Sequence, residues 1–265
     1  MRAPRPVLAL LTDFGLRDHY VAAMKGVILG ICPDAQLIDI THDIPPQDIA
    51  AGAIELGAVA PYLPEGTVVL AVVDPGVGTA RRAVAVETGR LTLVGPDNGL
   101  FTWLLRNKPG ARAVELSNAR FHRNEMSRTF EGRDRFAPVA AHLANGTALA
   151  ELGPPANALN LLDVPVAVEQ RGLVRGDVLT VDRFGNLITN IERAALTRLG
   201  PDVVVRVGGQ TLQLLSAYGD ARPGEVVALV GSSERLEIAV NGGSAARYLG
   251  LGAGASVSVL RSGAA

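Results

Sequence analysis

Through the first half of the chain, short β-branched apolar runs alternate with longer stretches of helical periodicity. The runs Val7 to Thr12, Gln36 to Thr41, Val68 to Val73, Ala83 to Glu87 and Leu91 to Val94 have the length and composition of strands. Apolar residues recur at helical spacing from Tyr20 to Gly30 and from Gln47 to Tyr62, each between two of these runs. Asn98 to Arg106 and Ala137 to Ala144 read as two more helices, each after a turn. The alternation predicts an α/β fold with an N-terminal, mainly parallel sheet flanked by helices.

Around Gly146 to Pro165 the periodicity fades, and Pro154, Pro155 and Pro165 gather there as in a linker. Beyond it, short strands come at close intervals: Leu173 to Asp182, Val203 to Val207, Val226 to Val230, Leu236 to Val240 and Ser256 to Leu260. Gly208-Gly209, Pro223-Gly224 and Gly242-Gly243 separate them, which predicts a smaller antiparallel β domain. The expected organisation is therefore an N-terminal domain over residues 1–155, a linker over 156–165 and a C-terminal domain over 166–265.

Composition narrows the class of function. The chain's 265 residues are 48% hydrophobic, enough for a large core. Its 25 Lys and Arg against 26 Asp and Glu leave no excess positive charge for a phosphate backbone, so nucleic acid is not expected as a partner. Asp13 interrupts the first apolar run after about six residues, so the start reads as a buried strand rather than a secretory signal. Nothing approaches the roughly 18 apolar residues of a membrane span. A single cysteine, Cys32, rules out an internal disulfide framework and suits a buried packing role. The expectation is a soluble, cytoplasmic protein with no membrane partner.

Polar residues follow directly on the apolar strands: Asp13, the Thr41-His42-Asp43 group, Asp74, and Asp97 with Asn98. In open α/β sheets ligands bind outside the carboxyl ends of strands, so these side chains are candidates for one crevice. The segment Asp74-Pro-Gly-Val-Gly-Thr-Ala-Arg81-Arg82 is not a phosphate loop, because no Lys-Ser or Lys-Thr closes it. Its acid and arginines form a compact charged pair instead. Asp134, just before the helix FAPVAAHL, suits an N-cap. The second domain sets polar groups beside apolar runs in Asp182-Arg-Phe-Gly-Asn186 and Gly231 to Asn241. The four histidines, His19, His42, His122 and His142, form no HxxxH or HExxH pair, so no metal site is expected. No GxSxG element is present.

Six segments, in order and over nearly the whole chain, carry a resemblance: TDFG from Thr12, DPGVGTARR from Asp74, PDNG from Pro96, GRD from Gly132, FGN from Phe184 and LEIAVNGGSAA from Leu236. Together they resemble the SAM hydroxide adenosyltransferases, hydrolases of S-adenosyl-L-methionine (SAM) related to the fluorinating and chlorinating enzymes. The resemblance implies an N-terminal α/β domain, a C-terminal β-barrel-like domain, and a homotrimer with sites between subunits. It implies hydrolysis of SAM to adenosine and L-methionine by water attacking C5′, with SAM as substrate and no cofactor. Its catalytic trio of aspartate, arginine and histidine maps to Asp74, Arg81 and position 131, where this chain has Glu131. Asp13 would hold the ribose hydroxyls and Asp182 the methionine amino group. Asn186 and the segment containing Ser232, Ser233, Glu237 and Val240 would hold the rest. Because of Glu131, a SAM-binding or adenosine-binding protein with impaired catalysis is the alternative. A halogenase is less favoured, since carboxylates at 74 and 131 repel a halide.

Overall fold

The computed structural model describes residues 5–106, 108 and 110–262. The first four residues of the expected first domain and the last three of the second lie outside that range. The chain divides between Leu162 and Asp163 into two compact units.

The first unit is built on six strands: β1 (Val7–Thr12), β2 (Gln36–Thr41), β3 (Val68–Val72), β4 (Ala83–Glu87), β5 (Thr92–Pro96) and β6 (Arg112–Glu115). They lie in the order β2-β1-β3-β5-β4-β6. The helices are α1 (Tyr20–Ile31), α2 (Ile49–Val59), α3 (Thr102–Leu105) and α4 (Ala137–Ala144). Alternate residues of the central strands feed opposite cores. Leu8, Leu10, Val68, Leu70 and Val72 pack with Met24 and Ile28 of α1 and Val139 and Ala140 of α4. Ala9, Leu11, Val69, Ala71 and Val73 pack with Leu56 of α2 and with Leu100. Burial on both faces explains why β1 and β3 read as continuous apolar runs.

β2, β1, β3 and β5 are mutually parallel, whereas β4 runs antiparallel to both β5 and β6. Only four residues separate β4 from β5, too few for the crossover a parallel pair requires, so the two form a hairpin. The expected helix from Asn98 shrinks to α3. Asn98 instead ties a turn, donating from Nδ2 to the Val73 carbonyl at 2.8 Å and accepting from the Leu100 N–H at 3.2 Å. Because β2 and β3 flank β1 on opposite sides, the connections diverge at the carboxyl end of β1. Such a switch point opens a crevice suited to ligands.

Much of the segment read as linker belongs to this first unit. Ala156 N–H donates to the Ala113 carbonyl at 2.8 Å, Asn160 N–H to Asp97 Oδ1 at 2.8 Å, and Leu162 N–H to Thr102 Oγ1 at 2.8 Å.

The second unit contains β7 (Val168–Gln170), β8 (Leu173–Val181), β9 (Leu187–Glu192), β10 (Val203–Val207), β11 (Gln210–Leu215), β12 (Val226–Val230), β13 (Arg235–Val240) and β14 (Ser256–Arg261). Short helices α5 (Arg193–Leu199) and α6 (Ala245–Leu249) follow β9 and β13. The order β14-β10-β11-β12-β13-β9-β8 closes on itself through β14 and β8, giving a seven-stranded barrel with β7 added beside β8. Closure leaves no open edge among the seven. The pairs are antiparallel except β11 with β12. Val205, Leu187, Leu236, Ile238, Val257 and Val259 fill the interior.

Candidate active site

Asp13 directly follows β1, and Asp74 stands two residues beyond β3, so both emerge at the switch-point end of the sheet. Arg81 lies across the turn from Asp74. Its Nε is 2.9 Å from Asp74 Oδ1 and 3.0 Å from Oδ2, and its Nη2 also donates to Oδ2. The same Nη2 donates to Glu131 Oε2 at 2.8 Å. Arg135 Nη1 approaches that oxygen at 3.3 Å. Asp74, Arg81 and Glu131 therefore form one cluster, with side chains only 5, 11 and 10% exposed. Burial pulls the Arg81 pKa down, but Asp74 and Glu131 outweigh it and raise the pKa, keeping the guanidinium charged.

Arg81 Nη1 is buried and has no hydrogen-bond partner. Leaving a buried donor unpaired costs about 1–3 kcal/mol. An arginine already anchored by two carboxylates thus keeps a donor nitrogen that the described residues do not use.

Local backbone chemistry places these groups. Gly78 has φ +76°, and a Cβ there would lie 2.6 Å from the Arg128 carbonyl oxygen. A Cβ on Gly76 would lie 3.1 Å from Arg81 Cγ. The glycines let the turn fold tightly beneath the arginine. Glu131 precedes a single π turn, Gly132–Phe136, which widens the backbone ahead of α4. Asp134 does not cap α4. It sits inside that turn, accepting from Ser127 N–H at 2.8 Å and from Arg133 Nε at 2.7 Å. Burial pushes its pKa up, but Arg133, the Ser127 N–H and Arg123 together hold it below the usual carboxylate range.

Asp13 is half-buried, and its Oδ2 accepts the Gln47 N–H at 2.8 Å. The next residue, Phe14, meets Phe130, the residue before Glu131, with ring centroids 6.0 Å apart. Tyr20 packs on both, at 5.8 and 5.1 Å. This aromatic trio links Asp13 to the charged cluster. Sequence reasoning missed it, although TDFG and TFEG both carry the signal of a phenylalanine beside an acid.

Other strand-end candidates are engaged elsewhere. Asp97 binds Arg82 Nε at 2.9 Å and the Asn160 amide, clamping the end of the first unit. His42 bridges Thr12 Oγ1 at 2.8 Å and Asp39 Oδ1 at 3.1 Å.

Within the second unit, Asp182 Oδ1 accepts the N–H groups of Phe184 at 2.9 Å and Asn186 at 2.8 Å. Asn186 Nδ2 donates to Asp182 Oδ2 at 2.9 Å. Gly185, at φ +87°, allows this turn. Glu237 is buried, and its Oε1 accepts the Tyr218 hydroxyl. Burial, reinforced by the nearby Asp182 charge, raises the Glu237 pKa against the opposing hydroxyl. The Tyr218 phenol is likewise pushed upward, chiefly by burial. Asp182, Asn186 and Glu237 thus share a neighbourhood, together with Tyr218, which sequence reasoning did not single out. Ser233 lies instead in a depression of about 370 Å³ with Arg193, Glu234 and Arg235. Ser232 is exposed in the same turn, and Val240 is buried in the barrel wall.

Among the described residues, no group of three or more His, Cys, Asp or Glu side chains is arranged to hold a metal ion. No helix among them is long and apolar enough to cross a membrane.

An α/β sheet with a buried Asp–Arg–Glu cluster at its switch point, joined in sequence to a seven-stranded barrel, defines a two-unit class. Family profiles specify it further. The SAM hydroxide adenosyltransferase N-terminal domain matches residues 8–153, and the C-terminal domain of that family matches residues 176–258. The chain belongs to the SAM hydroxide adenosyltransferase family. It is 47% identical to the (R)-S-adenosyl-L-methionine hydrolase of Thermus thermophilus, over 97% of this chain and 100% of that one. A fluorinase of Nocardia brasiliensis is more distant, 31% identical over 96% of this chain and 97% of its own. The crystal structure of an uncharacterized conserved protein from Thermotoga maritima superposes with a TM-score of 0.91 at 38% identity, covering 96% of this chain and 100% of that one.

Proposed function

We propose that this chain hydrolyses S-adenosyl-L-methionine to adenosine and L-methionine. The observation that carries the proposal is the buried Asp74–Arg81–Glu131 cluster with its unused Arg81 Nη1 donor. Family membership and 47% identity to a named SAM hydrolase support the same chemistry.

SAM brings its own leaving group. As the water oxygen bonds to C5′, the C5′–S bond breaks, its electron pair goes to sulfur, and methionine departs neutral at that atom. No acid is needed for it, and no cofactor. Catalysis then rests on positioning, which can supply roughly 7–11 kcal/mol when the attacking atom is held about 3–3.5 Å in line behind the carbon. Arg81 Nη1 is the donor that holds the water oxygen, and Asp74 orients Arg81 while accepting the released proton. Glu131 completes the trio from the other side of the guanidinium. Asp13 suits the ribose hydroxyls and Asp182, with Asn186, the methionine ammonium, as acceptors for donor groups. Ser232, Ser233, Glu237 and Val240 complete the ligand's surroundings in this reading. The assembly is a homotrimer whose sites take residues from neighbouring subunits, working on SAM in the cytoplasm.

One observation favours a second reading. Glu131 is shared by Arg81 and Arg135 and stands where the resemblance implies the histidine of the trio, as in a protein that binds SAM with impaired catalysis. Chromatography of SAM incubated with this chain and with Glu131→His separates the two. Hydrolysis predicts equal yields of adenosine and methionine from the unmodified chain. Intact SAM from that chain, with turnover appearing only in Glu131→His, selects the second reading.

A further inference from the structure

An imidazole stands behind the carboxylate at position 131. His122 follows a short turn over Ala119–Phe121, and the Arg123 N–H donates to the Asp134 carbonyl at 2.9 Å. That bond lays the His122 segment along the π turn, whose next residue is Arg135. Two buried polar atoms here lack hydrogen-bond partners: His122 Nε2 and Arg135 Nε. The other ring nitrogen of His122 faces the Leu116 backbone, which favours protonation there and leaves Nε2 as a lone-pair acceptor. Arg135 Nε can only donate. An unused donor and an unused acceptor thus lie on two segments joined by that backbone bond, and Arg135 Nη1 reaches Glu131 Oε2 at 3.3 Å.

We propose that His122 is a positioning residue for the hydrolysis, its neutral Nε2 receiving the Arg135 Nε–H through one bridging water and so aiming Arg135 at Glu131. The proposal rests on the hydrolytic reading above. It supplies an order for the cluster: His122 sets Arg135, Arg135 sets Glu131, and Glu131 with Asp74 sets Arg81. The charged groups that bear on His122 are Arg135 and Glu131. Burial and Arg135 push its pKa down, while Glu131 and the Leu116 carbonyl push it up less strongly. The ring is therefore neutral near pH 7. Protonation replaces the Nε2 acceptor by a donor facing a guanidinium, and Arg135 turns away from Glu131.

The consequence is an acid limb in kcat below the ordinary histidine value of about 6.5. His122→Gln keeps an acceptor that does not titrate, so it should retain most of the activity at pH 7.5 and lose that limb. His122→Phe has no acceptor and should lose roughly 10- to 100-fold in kcat with KM little changed. A ring titration followed by nitrogen-15 NMR on the ligand-free protein reads the linkage without turnover. His122 should titrate below 6.5 and move upward in Arg135→Met. The proposal is overturned if the limb survives unchanged in His122→Gln, or if Arg135→Met leaves the ring titration where it was. Absence of adenosine at every pH, with the ring linkage intact, would instead sink the hydrolytic reading.

Discussion

A guanidinium offers five N–H bonds, and their distribution at Arg81 sets what the cluster can do. Nε and Nη2 are committed to Asp74 and Glu131, and Nη1 is left over. Asp74 is therefore the anchor of Arg81 through Nε and Nη2, and in the proposed mechanism also the base. Asp74→Asn preserves the shape and removes the charge. It should lower kcat by roughly 10²- to 10⁴-fold, the range for loss of a positioned base, while KM changes little. Steady-state adenosine release checks this, and a mainly KM effect would assign Asp74 to binding instead. The pairing of Asp74 with Arg81 was legible from their spacing across one turn. The third member was legible only through resemblance, and the aromatic contact between Phe14 and Phe130 was not legible, because it joins residues over a hundred positions apart.

Elements set where these side chains stand. The Asp74 to Arg82 turn doubles back tightly enough that Gly78 takes a left-handed conformation against the Arg128 carbonyl. Gly78→Ala adds a Cβ both in that conformation and in contact with backbone. It should cost about 1–3 kcal/mol of stability, seen as a lowered urea midpoint with an unchanged slope. A midpoint equal to that of the unmodified chain would show that the turn relaxes freely. The π turn at Gly132–Phe136 acts similarly for Glu131, but nothing in the GRD pattern announces an extra residue in a helical turn. Helices and strands with strong periodicity, such as α1, β1 and β3, could be read from sequence. β6, β9 and β11 were not, since their apolar content is low or interrupted by polar residues that only their sheet neighbours explain.

At the scale of the whole molecule, candidate ligand groups occur in both units: Asp13, Asp74, Arg81 and Glu131 in the first, Asp182, Asn186 and Glu237 in the second. In the proposed homotrimer these sets meet across subunits. Light scattering should then give a particle of three 27.6 kDa chains. Asp13→Ala and Asp182→Ala should each be inactive alone. Refolded together in equal amounts, they should recover about a quarter of the activity, because random mixing brings an intact first unit against an intact second unit at that fraction of interfaces. No recovery from a mixed trimer would mean that each site is completed within one chain.

Sequence alone settled the α/β character of the first unit and the β character of the second, because side-chain periodicity is a local property imposed by the rise and pleat of each element. It also located the acids at strand ends. Tertiary structure decided what depends on distant partners: the hairpin that turns β4 against the parallel set, the pairing of β14 with β8 that closes the barrel, and the capture of residues 156–162 by the first unit. It decided too that Glu131 shares one oxygen between Arg81 and Arg135. Such contacts join residues far apart in the chain, and their geometry exists only once the core has packed.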